Sequence, residues 1–182
     1  MSEVKALHIP EDGEIFSVGG IEFIKFPEKD GLIPAVTRKT IFNSEFGENN
    51  DFSKSTVLDR LVDEFLPKII AAVGENGISP ITTDLTTLDG LKPYPAFSSL
   101  VSLPTFDFYR QNVSVFDKYK VDEWWWLATP ESAQPHCEPW WTVCVSPSGG
   151  INFGDFNYDC GVRPFCIFKS SIFESLTYED GR

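Results

Sequence analysis

The sequence predicts an α+β domain with small twisted antiparallel sheets, one main helix over about residues 55–73 and long loops. Three observations carry this: a glycine-turned hairpin near the N-terminus, a single stretch of helical periodicity, and tryptophan-rich strands in the last third of the chain. At 182 residues the chain fits a single domain, 1–182, large enough to bury a substantial core.

Ile15-Phe-Ser-Val18, Gly19-Gly20 and Ile21-Glu-Phe-Ile-Lys-Phe26 form a short run, a two-residue turn and an alternating run. Gly-Gly supplies the positive φ angles that a tight hairpin demands. After the loop Pro27 to Gly31, Ile33 to Phe42 adds a further strand, and Asn43 to Asn50 is polar and turn-rich. The period then changes. Val57, Leu58, Leu61, Val62, Phe65, Leu66, Ile69, Ile70 and Val73 recur at three- and four-residue spacing, the mark of an amphipathic helix. Ser53 or Ser55 can cap its start, and Gly74 stands where a glycine stop belongs. Pro67 lacks a backbone donor, so a kink or two consecutive helices is expected there.

Residues 77–104 are rich in Ser, Thr, Pro and Gly and read as an irregular excursion with one strand near Ser99 to Leu103. Pro104 to Arg110 reads as a short helix or turn. The five tryptophans all lie in Trp124-Trp-Trp-Leu-Ala-Thr-Pro130 and Trp140-Trp-Thr-Val-Cys-Val-Ser146, a concentration that reads as core. Pro147-Ser-Gly-Gly150 joins residues 140–146 to Ile151-Asn-Phe-Gly-Asp-Phe156 as a hairpin, with Ser146 expected opposite Ile151. On that register neither face is cleanly apolar.

The charge balance of 15 basic against 27 acidic residues, net −12, disfavours direct binding to nucleic acid or an anionic membrane and suits a basic partner surface. The acidic residues are scattered, which reads as a solvated surface rather than a nucleic-acid-mimicking stripe. Met1 to Gly13 lacks the pattern of a secretory leader, and no run of eighteen apolar residues occurs, so a protein outside the membrane is expected. Cys137, Cys144, Cys160 and Cys166 read as free buried thiols.

No catalytic or metal constellation is spelled out. His136-Cys137 are sequence neighbours, which rarely point at each other as base and nucleophile do. The cysteine spacings match no common zinc set. Asp155-Phe-Asn-Tyr-Asp159 starts like a calcium loop but carries Cys160 and Cys166 where Gly and Glu are needed. Arg163, in an apolar strand, is expected in a structural ion pair with an Asp or Glu. The surface left for recognition is Trp140, Asn152, Asp155, Asn157, Tyr158 and Asp159, on or near the last hairpin. The chain therefore reads as a binding protein and not an enzyme, with no cofactor and no metal.

Trp125-Trp-Leu-Ala-Thr-Pro130 together with Gly161-Val-Arg-Pro164 resembles the two strongest marks of a domain family of unknown function common in gut Firmicutes and their phages. The resemblance spans residues 13–168. It implies a fold like that of C-type lectins and formylglycine-generating enzymes, and the family's frequent Arg is replaced here by Ala128. The formylglycine-generating enzymes use a cysteine pair, and the similarity does not place Cys160 and Cys166 on it. The Glu-Pro-Asn or Gln-Pro-Asp calcium motif of sugar-binding lectins is lacking at Glu138-Pro139-Trp140 and Gln134-Pro135-His136. In length, acidity and domain the whole chain also resembles the type II-A anti-CRISPR proteins, inhibitors of the RNA-guided type II effector nuclease. That likeness implies a guide-RNA-loaded CRISPR nuclease as partner and the bacterial host cytosol as location. Three functional classes follow: such an inhibitor, a phage-borne lectin-like module displayed for ligand or receptor binding, and a copper-dependent oxidase acting through the cysteines.

Overall fold

Alternation, turn chemistry and a single helical period are realised as two five-stranded sheets, a two-stranded ribbon and short helices. The computed structural model describes residues 9–134 and 141–173. In chain order the first strands are β1 (Ile15–Val18), β2 (Ile21–Lys25), β3 (Leu32–Thr37) and β4 (Phe42–Ser44). The helical stretch follows, with α1 (Thr56–Arg60) and α2 (Leu66–Val73). Next come β5 (Ile78–Ser79), β6 (Ile81–Thr83), β7 (Phe97–Ser99), α3 (Phe106–Gln111) and α4 (Val113–Phe116). The chain continues with β8 (Trp125–Pro130), β9 (Thr142–Val145), β10 (Ile151–Gly154), β11 (Cys160–Val162) and β12 (Phe165–Lys169). The first sheet has the order β1-β2-β3-β12-β5 and the second β10-β9-β8-β11-β4, while β6 and β7 form the ribbon. All pairs are antiparallel except β8 with β11.

The Gly19-Gly20 hairpin forms as read, with Val18 opposite Ile21 and φ of 58° and 77° at the two glycines. Ser55 is the cap of α1, its hydroxyl accepting from the Leu58 N–H at 3.0 Å. Gly74 ends α2 at φ 73°. Around Pro67 the stretch is divided, as expected, into two consecutive helices, α1 and α2, with Pro67 in the first turn of α2, where a missing donor costs least. The two are joined by a π-helical turn, Leu61–Phe65, in which the Leu66 N–H bonds the Leu61 carbonyl.

Several sequence expectations are corrected. The stretch 33–42 is divided between β3 in the first sheet and β4 in the second, with β4 reaching into the segment expected as a loop. The 77–104 excursion holds β5, β6 and β7 instead of one strand, and α4 extends the short helix expected near 104–110. In the last hairpin Val145, not Ser146, lies opposite Ile151. The Gly149 N–H bonds the Ser146 carbonyl at 2.9 Å with Gly149 at φ 88°, and the Ser146 N–H bonds the Gly150 carbonyl at 2.9 Å. The loop is thus the three residues 147–149, a turn closed by a left-handed glycine, and the shift of one residue regroups the side chains. Thr142, Cys144, Asn152 and Gly154 share one face, and Val143, Val145, Ile151 and Phe153 the other.

The inner strands β8 and β9 are buried on both faces, whereas the edge strand β10 is exposed at Ile151, Asn152 and Phe153, so the hairpin mixes covered and open positions on each face. Trp126, Ala128, Cys144, Cys160 and Val162 enter a core with Phe23, Phe65, Ile69 and Phe168. Trp125, Leu127, Val143 and Val145 enter a second core closed by Tyr109 and Phe116. Gly161-Val-Arg-Pro164 is the crossing from the second sheet to the first. A Cβ on Gly161 would collide with the Thr40 side chain and stand 3.1 Å from the Glu123 carboxyl carbon, and the Gly161 N–H bonds the Trp124 carbonyl at 2.7 Å.

The expected ion pair of Arg163 is not made. Its guanidinium, 1% exposed, gives Nε to the Thr37 carbonyl at 3.0 Å and Nη2 to the Arg38 carbonyl at 3.1 Å, and lies 4.8 Å over the Trp125 ring. Among the described residues no carboxylate bonds it, and burial lowers its pKa to about 10. Carbonyl dipoles and aromatic faces replace the carboxylate because they stabilise the cation without bringing a second charge into the core. No described helix is long and apolar enough to cross a membrane.

Candidate functional site

At the open side of the second sheet, where the edge strand β10 turns into β11, the surface sinks into a cleft of about 530 Å³. Its wall is made by Trp124, just before β8, by Asn152 and Phe153 of β10, and by Asn157, Tyr158 and Asp159 of the connection to β11. Gly154, Cys144 and Cys160 complete the lining. The aromatic groups are open to water: Trp124 is 41% exposed and Tyr158 60%.

Local chemistry holds this shape. A tight turn closes with the Tyr158 N–H on the Asp155 carbonyl at 2.9 Å, and the Asn152 side-chain oxygen accepts from the Phe153 N–H at 2.8 Å. A Cβ at Gly154 would stand 2.7 Å and 2.8 Å from the Trp126 ring, so glycine lets the edge strand lie against the buried indole. That indole donates Nε1–H to the Ser44 carbonyl at 2.9 Å, tying the cleft to β4 across the sheet.

Of the residues singled out from sequence, Asn152, Asn157, Tyr158 and Asp159 are brought together around the cleft. Asp155 is half-buried and supports the turn without lining the cleft. Trp140, His8, His136 and Cys137 lie outside the described residues. Trp124 and Phe153 were missed. The reading of all the tryptophans as core is corrected: Trp125 and Trp126 are buried, whereas Trp124 and Trp141 are 41% and 40% exposed. A triple tryptophan gives no sign of which ring falls before the strand begins.

The thiols at the cleft are poorly suited to chemistry. Burial pushes Cys144 up to about 11 and Cys160 up to about 12, the latter helped by Cys144 and by the Asp159 and Glu123 charges. Cys166, fully buried in the other sheet, is also shifted up by burial. A thiol near neutral pH in such surroundings stays protonated and non-nucleophilic. No group of three or more His, Cys, Asp and Glu side chains among the described residues is placed to hold a metal ion. Cys144, Cys160 and Cys166 are accordingly expected to resist iodoacetamide at pH 8 in the folded protein and to react once it is unfolded, as read by mass spectrometry.

Stability should respond to pH with a definite sign. The folded thiol values lie above the unfolded value near 9, so their contribution is complete below pH 9 and is lost as pH rises from about 9 through 11 for Cys144 and through 12 for Cys160. A urea midpoint that is equal or higher at pH 10 than at pH 8 would contradict this.

A second depression of about 250 Å³ lies between the 84–88 loop and α3, but its charges are locally satisfied. The Thr86 hydroxyl and N–H hold Asp84 below its usual range, and Asp107 pairs with Arg110 at 2.9 Å.

No protein-family model, curated protein or solved structure matches this chain.

Proposed function

We propose that this protein is a non-catalytic inhibitor that binds the guide-RNA-loaded type II CRISPR effector nuclease and prevents DNA cleavage, acting in the host cytosol on a lectin-like variant of the α+β fold. The observation that carries the reading is the cleft, where Trp124 and Tyr158 are exposed beside Asp159 on a chain of net charge −12. Exposed large aromatics gathered at a concavity are the composition of a protein-docking hot spot. The acidic balance suits a nuclease whose nucleic-acid channel is strongly basic. The raised thiols argue against the oxidase alternative. The choice of partner rests on the likeness of the whole chain, in length, acidity and domain, to the anti-CRISPR proteins, whereas the motifs at β8 and at the Gly161 to Pro164 crossing carry only the likeness to the domain family.

A second reading has one observation in its favour: Asn152 and Asn157 stand beside the aromatic walls, a donor and acceptor set that suits a polar ligand of a displayed lectin-like module. Size exclusion of purified protein with guide-loaded effector nuclease, run beside a plasmid-cleavage assay, separates the two. Co-elution with loss of cleavage is the expected result. Full cleavage and no co-elution across several nuclease orthologues would overturn it in favour of the display module.

A further inference from the structure

We infer that the cleft is a receptor for an arginine side chain on a basic segment of the partner protein. This rests on the reading of the cleft as a protein-docking site and names the group it takes. Among the described residues its lining contains one carboxylate, Asp159, and no Lys, Arg or His. A cation is therefore the charge the site lacks, and the net charge of −12 favours the approach of one.

The nearby cation whose field Asp159 shares is committed elsewhere. Arg60 gives Nε and Nη2 to the two Glu64 oxygens at 2.8 Å and 3.1 Å, and Nη1 to the Asn43 carbonyl at 2.9 Å. The Glu64 hydrogen bond holds its pKa above the ordinary value, with the Asp159 charge adding to the effect. Asp159 itself makes no hydrogen bond or ion pair among the described residues, so its carboxylate is open to an incoming donor.

The flat walls choose arginine over lysine. A planar guanidinium can stack on an aromatic ring and still present its edge to a carboxylate, whereas an ammonium is more strongly hydrated and has no flat face. The molecule already uses this arrangement: Arg60 lies 3.9 Å over the Phe42 ring while its edge meets Glu64. Trp124 and Tyr158 offer the rings at the cleft, Asp159 the carboxylate, and the Asn152 and Asn157 amides polar groups for the backbone on either side.

The test uses the full chain and two blocked tripeptides, acetyl-Gly-Arg-Gly-amide and its citrulline twin, which keeps the shape and loses the charge. Titrations are followed in ¹⁵N–¹H spectra at the Trp124 indole and the Tyr158 and Asp159 amides. Saturable shifts confined to these groups are expected with the arginine peptide, at least tenfold weaker with citrulline, and at least fivefold weaker for Asp159→Asn. Tyr158→Ala, at a side chain mostly in solvent, should weaken binding similarly. Equal binding of the citrulline peptide, no shift at these groups, or an unaffected Asp159→Asn protein would each overturn the inference. The titration contains no nuclease, so peptide binding here together with intact cleavage in the separate plasmid assay would uphold the arginine site and sink the nuclease assignment. Inhibition without peptide binding would do the reverse.

Discussion

Replacing Trp126 with alanine is expected to destabilise the protein by about 3–5 kcal/mol, the range for truncating a fully buried large aromatic. That is a large share of the roughly 5–15 kcal/mol by which a domain is stable. The indole is fully buried, its ring centroid 5.4 Å from that of Phe46 in an edge-to-face contact. It supports the edge strand through Gly154 and ties β8 to β4 through the Ser44 carbonyl. Truncation would leave a cavity between the sheet and the Phe46 loop and an unpaired buried carbonyl. Urea unfolding followed by far-UV circular dichroism measures the loss, and a change below about 1 kcal/mol would show that the core closes over the gap.

The double replacement Trp124→Ala and Tyr158→Ala should leave the fold in place and remove docking. Both side chains are substantially exposed, so stability should change by less than about 1 kcal/mol. At an interface, aromatic anchors of this kind carry about 2 kcal/mol or more each, so inhibition of the nuclease should weaken by at least about 100-fold. The measurement is the concentration of protein that halves plasmid cleavage, with the unfolding midpoint as the control. Unchanged inhibition by a folded double variant would remove the cleft from the docking surface.

The tryptophans of the two cases lie two positions apart in a run of three identical residues. Trp124, Trp125 and Trp126 are indistinguishable by hydrophobicity, yet one is exposed, one enters the core under α4, and one enters the core under the helix. Alternation along a strand assigns opposite faces to neighbours, but it does not state where the strand begins or that both faces are covered. The same limit explains the hairpin. Pro147-Ser-Gly-Gly150 announces a turn, and the choice between three and four loop residues depends on Gly149 taking the left-handed conformation.

Arg163 illustrates a different limit. Burial of Arg163 was legible from Val162, Pro164 and Phe165 around it, although it lies in the crossing between β11 and β12 and not in a strand, and an ion pair was the reasonable expectation. The partners turned out to be the carbonyls of Thr37 and Arg38, which any sequence supplies at every residue and which therefore leave no mark. The cleft was partly legible, since Asn152, Asn157, Tyr158 and Asp159 lie close together in the chain. Trp124 joins them from a distant segment because β8 and β11 run side by side.

By itself the sequence determined what is local and periodic: the Gly19-Gly20 hairpin, the Ser55 cap and Gly74 stop, the amphipathic helical stretch, the α+β class and the acidic balance. Each depends on backbone preferences or spacings that act within a few residues. The tertiary structure alone decided which tryptophan is exposed, the last hairpin's register, the partners of Arg163 and the gathering of Trp124 with Tyr158 and Asp159. Those depend on which strands become neighbours in the sheets, and strand neighbours far apart in the chain are selected by the packing of both sheet faces together.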